Sequence, residues 1–284
     1  MANIPAADVK KLRDRTNAPF GECKTALTET GGDMEKAIQW LREKHKGLAV
    51  TKGERETAEG RIGTFVDEKQ QVGGIIEVRC ESAPSAKNEL FVQLANDLAK
   101  QVAYEGAQTV QELLAQRFVD APSKTVTDRI NDVIGLIREN MKPARLKQLR
   151  GLVGSYVHHD GTVGALVQVE GDRADTQLLR DVCMHITAYN PSYARREDVP
   201  EDIVAREKEI ARAQIASDPK NAKKPANILE KITEGKLNTW YAENVLVDQP
   251  FVKDDTKTKT VGQLLKSAGF KLVQFVRYKV GELS

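Results

Sequence analysis

Few side chains in this sequence stand where a chemical step would need them. Cys183 and His185 are two residues apart, a spacing that turns them to different sides of a helix, whereas zinc needs its ligands on one face. His158 and His159 precede Asp160-Gly161 in a run that reads as a turn between strands, so they read as solvated turn residues. Cys23, Cys80 and Cys183 lie among apolar neighbours or at a strand end, where a thiol behaves as a small buried hydrophobe. Neither G-x-x-x-x-G-K-S/T nor G-x-G-x-x-G occurs, which leaves no obvious phosphate cradle. No serine or cysteine falls in a recognisable nucleophile motif. These residues predict no metal, no cofactor and no catalytic group. The sequence argues against an enzyme.

The stretch that carries most information occurs twice. Gly60-Arg61-Ile62-Gly63-Thr64-Phe65-Val66 returns as Gly151-Leu152-Val153-Gly154-Ser155-Tyr156-Val157, an offset of 91 (60 to 151). Val72 to Val78 returns as Val163 to Val169 at the same offset. Each copy reads as two short strands joined by a polar turn, residues 67–70 in one and 158–161 in the other. A helix follows in each, ending at Tyr104 and Tyr189, where the offset is 85 (104 to 189). The first copy therefore carries six extra residues, somewhere between Arg79 and Leu90. A local excess in one copy needs a reason that a shared fold does not supply. The loop Cys80-Glu81-Ser82-Ala83-Pro84-Ser85-Ala86-Lys87-Asn88 is the first candidate for function.

The elements that must position this loop read as an α+β chain with a pseudo-symmetric core of two strand–strand–helix repeats. Residues 1–45 form a three-helix module: Val9 and Leu12 mark its first helix, Pro19 opens the second, and Asp33 caps the third after Gly31-Gly32. Residues 46–58 are polar and largely aperiodic and read as a mobile linker. The first core half spans 59–150. It includes a short helix suggested by Val110, Leu113, Leu114 and Phe118, and a stronger one from Val126 that Pro143 ends, with 144–150 extending as a strand into the second repeat. The second half spans 151–198. Residues 199–243 read as an antiparallel helical hairpin, one stripe being Ile203, Val204, Ile210, Ala211 and Gln214, the other Ile228, Leu229, Ile232 and Trp240. Gly235 is expected to soften the middle of the second helix. Residues 244–284 return to the core through a helix ending at Gly269 and an alternating strand.

Composition narrows the partner class. Forty-three Lys and Arg against 41 Asp and Glu give a net charge of +2, too balanced to imply direct nucleic-acid or membrane binding. No stretch approaches membrane-spanning length, and the start has no basic segment followed by an apolar run. Three cysteines are a sparse, odd set that suits a reducing cytosol. The expected location is the cytoplasm.

Several collinear motifs together resemble the bacterial-type elongation factor Ts family, over nearly the whole chain. They are Val9-Lys10-Lys11-Leu12-Arg13-Asp14-Arg15-Thr16, Cys23-Lys24-Thr25-Ala26-Leu27 and Gly32-Asp33-Met34-Glu35-Lys36-Ala37 in the first module. In the core they are Gly154-Ser155-Tyr156-Val157-His158 and Met184-His185-Ile186-Thr187-Ala188, followed by Gln249-Pro250-Phe251-Val252 and Thr260-Val261-Gly262-Gln263-Leu264-Leu265. The resemblance implies a ubiquitin-associated-like first module that docks on the GTPase domain of elongation factor Tu, with Lys10, Arg13 and Lys24 as candidate contacts. It implies that the repeats form the core halves, that the hairpin is a coiled-coil arm, and that Met184 and His185 contribute a further partner contact. It also implies that the loop singled out above, at Ser82, Ala83, Pro84 and Ser85, is the segment that helps dislodge magnesium from the partner's nucleotide. The family pattern there is Cys-x-Thr-Asp-Phe-Val-Ala-Lys, and this chain keeps Cys80, Ala86 and Lys87 while Ala83 and Pro84 replace Asp and the wedging Phe.

The function implied is guanine-nucleotide exchange: binding elongation factor Tu-GDP, also in its nucleotide-free form, and promoting GDP release during translation elongation. A homodimer or a heterotetramer with the partner is compatible with it. The altered loop keeps a second reading open, a divergent binder of elongation factor Tu with weak or absent exchange. A third is a scaffold protein that reuses the fold.

Overall fold

The computed structural model describes residues 4–172, 175–221, 224–254, 256 and 258–282. The chain divides into two compact units. One takes the chain up to Leu149 together with Val157–Gly164 and the residues from Tyr278; the other takes Arg150–Tyr156 and Ala165–Arg277. Helix and strand are both present in quantity, as an α+β chain requires.

Unit 1 begins with α1 (Ala6–Thr16), α2 (Phe20–Glu29) and α3 (Met34–Lys52). Asn17 ends α1 in the left-handed region (φ 55°), and the Asp33 carboxylate opens α3 by accepting from the Lys36 N–H at 3.0 Å. Val9, Leu12, Cys23, Ala26, Leu27, Ala37 and Leu41 close a small core among the three helices. The linker expected at 46–58 is corrected here, because α3 runs on to Lys52 and leaves only 53–58 outside it. Leu41, His45, Leu48 and Ala49 keep helical spacing on one face, and His45, although polar, is buried. The interruption in apolar character hid a helix that tertiary packing sustains.

The hairpin of β1 (Glu59–Asp67) and β2 (Val72–Cys80) pairs Glu59 with Cys80 and Asp67 with Val72. A single turn, α4 (Ala83–Ala86), then precedes α5 (Glu89–Glu105), whose Phe91, Leu94, Ala95, Leu98, Ala99 and Val102 are buried. Glycines let α5 lie against this hairpin at backbone distance. A Cβ at Gly63 would stand 2.2 Å from the Ala95 carbonyl oxygen, and one at Gly74 would stand 2.2 Å from that of Ala99. Neither oxygen can swing away as a side chain would. Gly63→Ala should therefore cost about 1–3 kcal/mol through overpacking, read as a lower urea midpoint at unchanged m; a midpoint equal to that of the parent would show that the helix can lift off freely.

Next come α6 (Val110–Ala115), a small hairpin of β3 (Arg117–Phe118) and β4 (Ala121–Thr125), and α7 (Val126–Ile137). Phe118, expected in a helix, lies in β3. Thr125 and Asp128 form a reciprocal capping box at the start of α7. The expected stop at Pro143 is also corrected: α7 ends at Ile137, with Arg138 left-handed at φ 64°. Pro143 lies inside β5 (Met141–Arg150), an edge strand in a sheet ordered β1-β2-β5, where a missing N–H is tolerated. That strand therefore belongs to the first sheet. The ring of His45 on α3 lies against Gly135 of α7, where a Cβ would fall 2.2 Å from the imidazole.

The second sheet is ordered β6-β7-β8, from β6 (Leu152–Val157), β7 (Val163–Glu170) and β8 (Lys271–Lys279). Between β7 and β8 come α8 (Thr176–Tyr189), α9 (Glu201–Ser217), α10 (Ala226–Asn244) and α11 (Val261–Ser267). Gly154 stands under Leu179 of α8 as Gly63 does under Ala95 of α5. Counted through these contacts, the strands are offset by 91 (63 to 154) and the helices by 84 (95 to 179). The two contacts thus differ by seven positions where six were expected from the sequence, and α5, at 17 residues, is longer than α8, at 14. Tyr104 and Tyr189 have different surroundings: the first donates to Asp67 at 2.9 Å and the second stacks on His185. In the α9–α10 pair the buried residues are Ala211, Ile215, Thr233, Leu237 and Tyr241, while Ile210 and Ile228 of the expected stripes are exposed. The helix α10 runs unbroken through Gly235.

Candidate partner-binding loop

Residues 81–88, between β2 and α5, build a turn around α4. Ser82 is extended and caps α4, its hydroxyl accepting from the Ser85 N–H at 3.4 Å. Pro84 sits in the first turn of α4, where its missing N–H leaves nothing unpaired. Ala83 and Pro84 face solvent, while Ser85 and Ala86 are buried beneath them. Four neighbours hold Ser82. Its N–H and hydroxyl donate to the Glu139 carboxylate at 3.1 and 2.6 Å, and its carbonyl accepts from the Ala86 N–H and the Cys80 thiol. Burial first, and then the charge of Glu139, push the Cys80 thiol up to about 12, so it remains a protonated donor. Glu81 accepts from the Asn140 N–H at 2.6 Å. Partial burial works to raise its pKa, but that hydrogen bond and Arg55 hold the carboxyl below the usual range.

Neither Glu139 nor Asn140 was singled out from the sequence. They lie 57 and 59 positions from the groups they hold, and no local pattern announces such a pair.

Met184 is half-buried on α8, and His185 beside it is fully buried. The His185 Nδ1 accepts from the Val252 N–H at 3.2 Å, and Nε2 faces the Gln249 Oε1 at 3.0 Å, so the tautomer protonated at Nε2 satisfies both. Gln249 in turn donates to the Glu243 carbonyl. Tyr189 and Phe251 stack against the ring. His185 therefore fastens residues 249–252 to α8 and presents no surface of its own. Burial lowers its pKa below the ordinary histidine value, against the raising effect of Gln249. A depressed folded-state pKa means that the stability it contributes is present above the unfolded value of roughly 6.5 and is lost as pH falls through the folded one. Titration of the His185 ring by NMR should give a midpoint below that unfolded value, with unit 2 loosening as the ring charges; a midpoint above it would contradict the buried neutral imidazole.

Lys10 and Arg13 on α1 and Lys24 on α2 are exposed, and the neighbouring Phe20 ring is 49% exposed. No hydrogen bond or ion pair among the described residues joins these three to the Ser82–Ser85 turn. Among the described residues, no group of His, Cys, Asp or Glu is gathered as for a metal ion, and no helix is long and apolar enough to cross a membrane.

Residues 85–282 match the family model described as Elongation factor TS. The match takes in Ser85, Glu139 and Asn140 and begins just after Pro84. A relative named "Elongation factor Ts" from Clostridium botulinum (strain ATCC 19397 / Type A) is 40% identical over 289 aligned positions, covering 98% of this chain and 93% of its own. Another of the same name, from Methylococcus capsulatus (strain ATCC 33009 / NCIMB 11132 / Bath), is 42% identical over 284 positions, covering 99% and 93%. A family match over most of the chain and identity at this level over nearly all of it lead to one statement: the chain belongs to the elongation factor Ts family.

Proposed function

We propose that the protein is a guanine-nucleotide exchange factor that binds elongation factor Tu-GDP and promotes GDP release during translation elongation. The observation that carries this reading is 40–42% identity to relatives named Elongation factor Ts across nearly the full chain. The turn at Ala83 and Pro84 supports it, since exposed side chains on a turn held by hydrogen bonds are available to a partner. An exchange factor works by linkage: the affinity it loses when nucleotide binds the partner equals the affinity nucleotide loses when the factor binds. No bond is made or broken in that cycle, and the protein acts as a binder rather than an enzyme.

In this reading the first three helices are a ubiquitin-associated-like module whose Lys10, Arg13 and Lys24 meet the partner's GTPase domain. The sheets β1-β2-β5 and β6-β7-β8 are two versions of one repeat, and the α9–α10 pair is an arm. Met184 meets the partner beside a segment that His185 holds in place. The setting is the cytoplasm. The replacement of Asp and Phe by Ala83 and Pro84 favours one second reading, a binder that exchanges weakly. Stopped-flow release of a fluorescent GDP analogue from purified elongation factor Tu separates the two. Acceleration supports exchange; capture of the partner without acceleration supports the second reading, and failure to bind removes both.

A further inference from the structure

The turn that carries Ala83 and Pro84 is held from outside its own repeat. Glu139 and Asn140 follow the left-handed Arg138 at the end of α7, and these consecutive residues grip consecutive residues at the start of the turn. The Glu139 carboxylate takes the N–H and the hydroxyl of Ser82, one oxygen each, at 3.1 and 2.6 Å. The Asn140 N–H is given to Glu81 at 2.6 Å. The side chain of Asn140, itself only 4% exposed, donates to the carbonyls of Gly53 and Arg55 at 3.2 and 2.8 Å. Arg55 closes the ring with an ion pair to Glu81 at 3.4 Å.

We infer that Glu139 is the positioning residue of the exchange turn: its carboxylate fixes Ser82, and through Ser82 the direction in which Ala83 and Pro84 project. This rests on the reading of Ser82–Ser85 as the segment that acts on the partner. The physical argument is that of a short lever. The turn has one helical revolution of its own and exposes its two central side chains, so its internal hydrogen bonds alone cannot set its angle. Two charge-assisted bonds to a single residue can, because they constrain both the backbone and the side chain of the capping serine. A contact that must enter a partner in one orientation loses rate steeply with small misplacement. Glu139 itself need not touch the partner.

The test uses the full chain with Glu139→Ala and Glu139→Gln. Amide hydrogen exchange in the free protein is the first measurement. Glu139→Ala should speed exchange at Ser82, Ser85 and Ala86 by about tenfold, the scale of one lost hydrogen bond, with the thermal midpoint little changed. The second measurement is GDP release from elongation factor Tu over a range of factor concentrations. Glu139→Ala should lower the maximal rate about tenfold while the half-saturating concentration stays within about twofold, and Glu139→Gln, which keeps an acceptor for Ser82, should recover most of the rate. Unchanged protection of the three amides overturns the inference. So does a loosened turn with an undiminished maximal rate, or a loss that falls only on the half-saturating concentration. If the parent protein does not accelerate release at all, the exchange reading fails, and the amide measurement then decides by itself whether Glu139 holds the turn.

Discussion

Glu77→Ala should destabilise unit 1 by about 3–5 kcal/mol, the cost of leaving a buried ionic group without its partner. Glu77 is 1% exposed on β2. One carboxylate oxygen accepts from Arg79 at 3.0 Å and from the Gly281 N–H at 3.0 Å, and the other accepts from Arg145 at 2.7 Å. Arg145 also donates to the Lys279 carbonyl and lies 4.3 Å from the centre of the Tyr278 ring. Arg79 reaches back to the carbonyls of Thr57 and Ala58. Deleting the carboxylate would leave two largely covered guanidinium groups without this counter-charge and one N–H without its acceptor. Glu77→Gln, which keeps the shape and an acceptor for Gly281, should cost less than Glu77→Ala. Urea denaturation at constant m is the measurement. An unfolding free energy for Glu77→Ala within about 1 kcal/mol of the parent would mean that water replaces the carboxylate at little cost. The triple change Glu77→Leu, Arg79→Met, Arg145→Met is the informative companion. If it is as stable as the parent, the charges specify where residues 278–282 lie more than they stabilise the fold.

Restoring the family residues in the exposed turn is the other large expected effect. Ala83→Asp with Pro84→Phe should accelerate GDP release from elongation factor Tu, whereas Pro84→Ala should barely alter it. Both positions face solvent, so the substitutions add a wedge without repacking unit 1. The gain cannot exceed the difference in affinity that the new side chains create between the nucleotide-bound and nucleotide-free partner. A buried aromatic contributes roughly 1.5–3 kcal/mol, which sets a ceiling of about tenfold to a hundredfold. Stopped-flow release rates at saturating factor would show it. Loss of exchange in Pro84→Ala would instead make the present turn an active element of another design. Loss of binding in the restored turn would mean that the partner's own surface suits Pro84.

Residues 80–88 drew attention in the sequence because a stretch recurs there with a surplus, and the structure forms in them the single turn α4, which the Ser82 cap and the first-turn Pro84 explain by short-range chemistry. The starts of α3 and α11 were legible for the same reason: Asp33 and Thr260 satisfy N–H groups three residues away. What holds the turn in place was not legible. Glu139 meets Ser82, Asn140 meets Glu81, and Arg145 meets Glu77 across 57, 59 and 68 positions, and an isolated Glu or Arg carries no mark of its distant partner. The last turns of α3 escaped notice because a buried His45 interrupts the apolar face, and the true end of α7 because Arg138 adopts a conformation usually left to glycine or asparagine. Pro143 marked the wrong boundary, since a proline in an edge strand breaks nothing. Local propensity found elements, and the packing between them decided where several of those elements stop.

The hydrogen bond from Gly281 to Glu77 spans 204 positions of chain. A ribosome adding about 5–20 residues per second makes Glu77 some 10–40 s before it makes Gly281. Through that interval β1, β2 and α5 can pack, but the carboxylate on β2 lacks one of its donors and Arg145 lacks the Lys279 carbonyl and the Tyr278 ring. The earliest-made unit is thus among the last to be completed. Nascent chains stalled near residue 200 should be cut by protease within unit 1 faster than released chains are. Unit 1 of the finished protein should regain its full protection only when residues 278–282 have joined it.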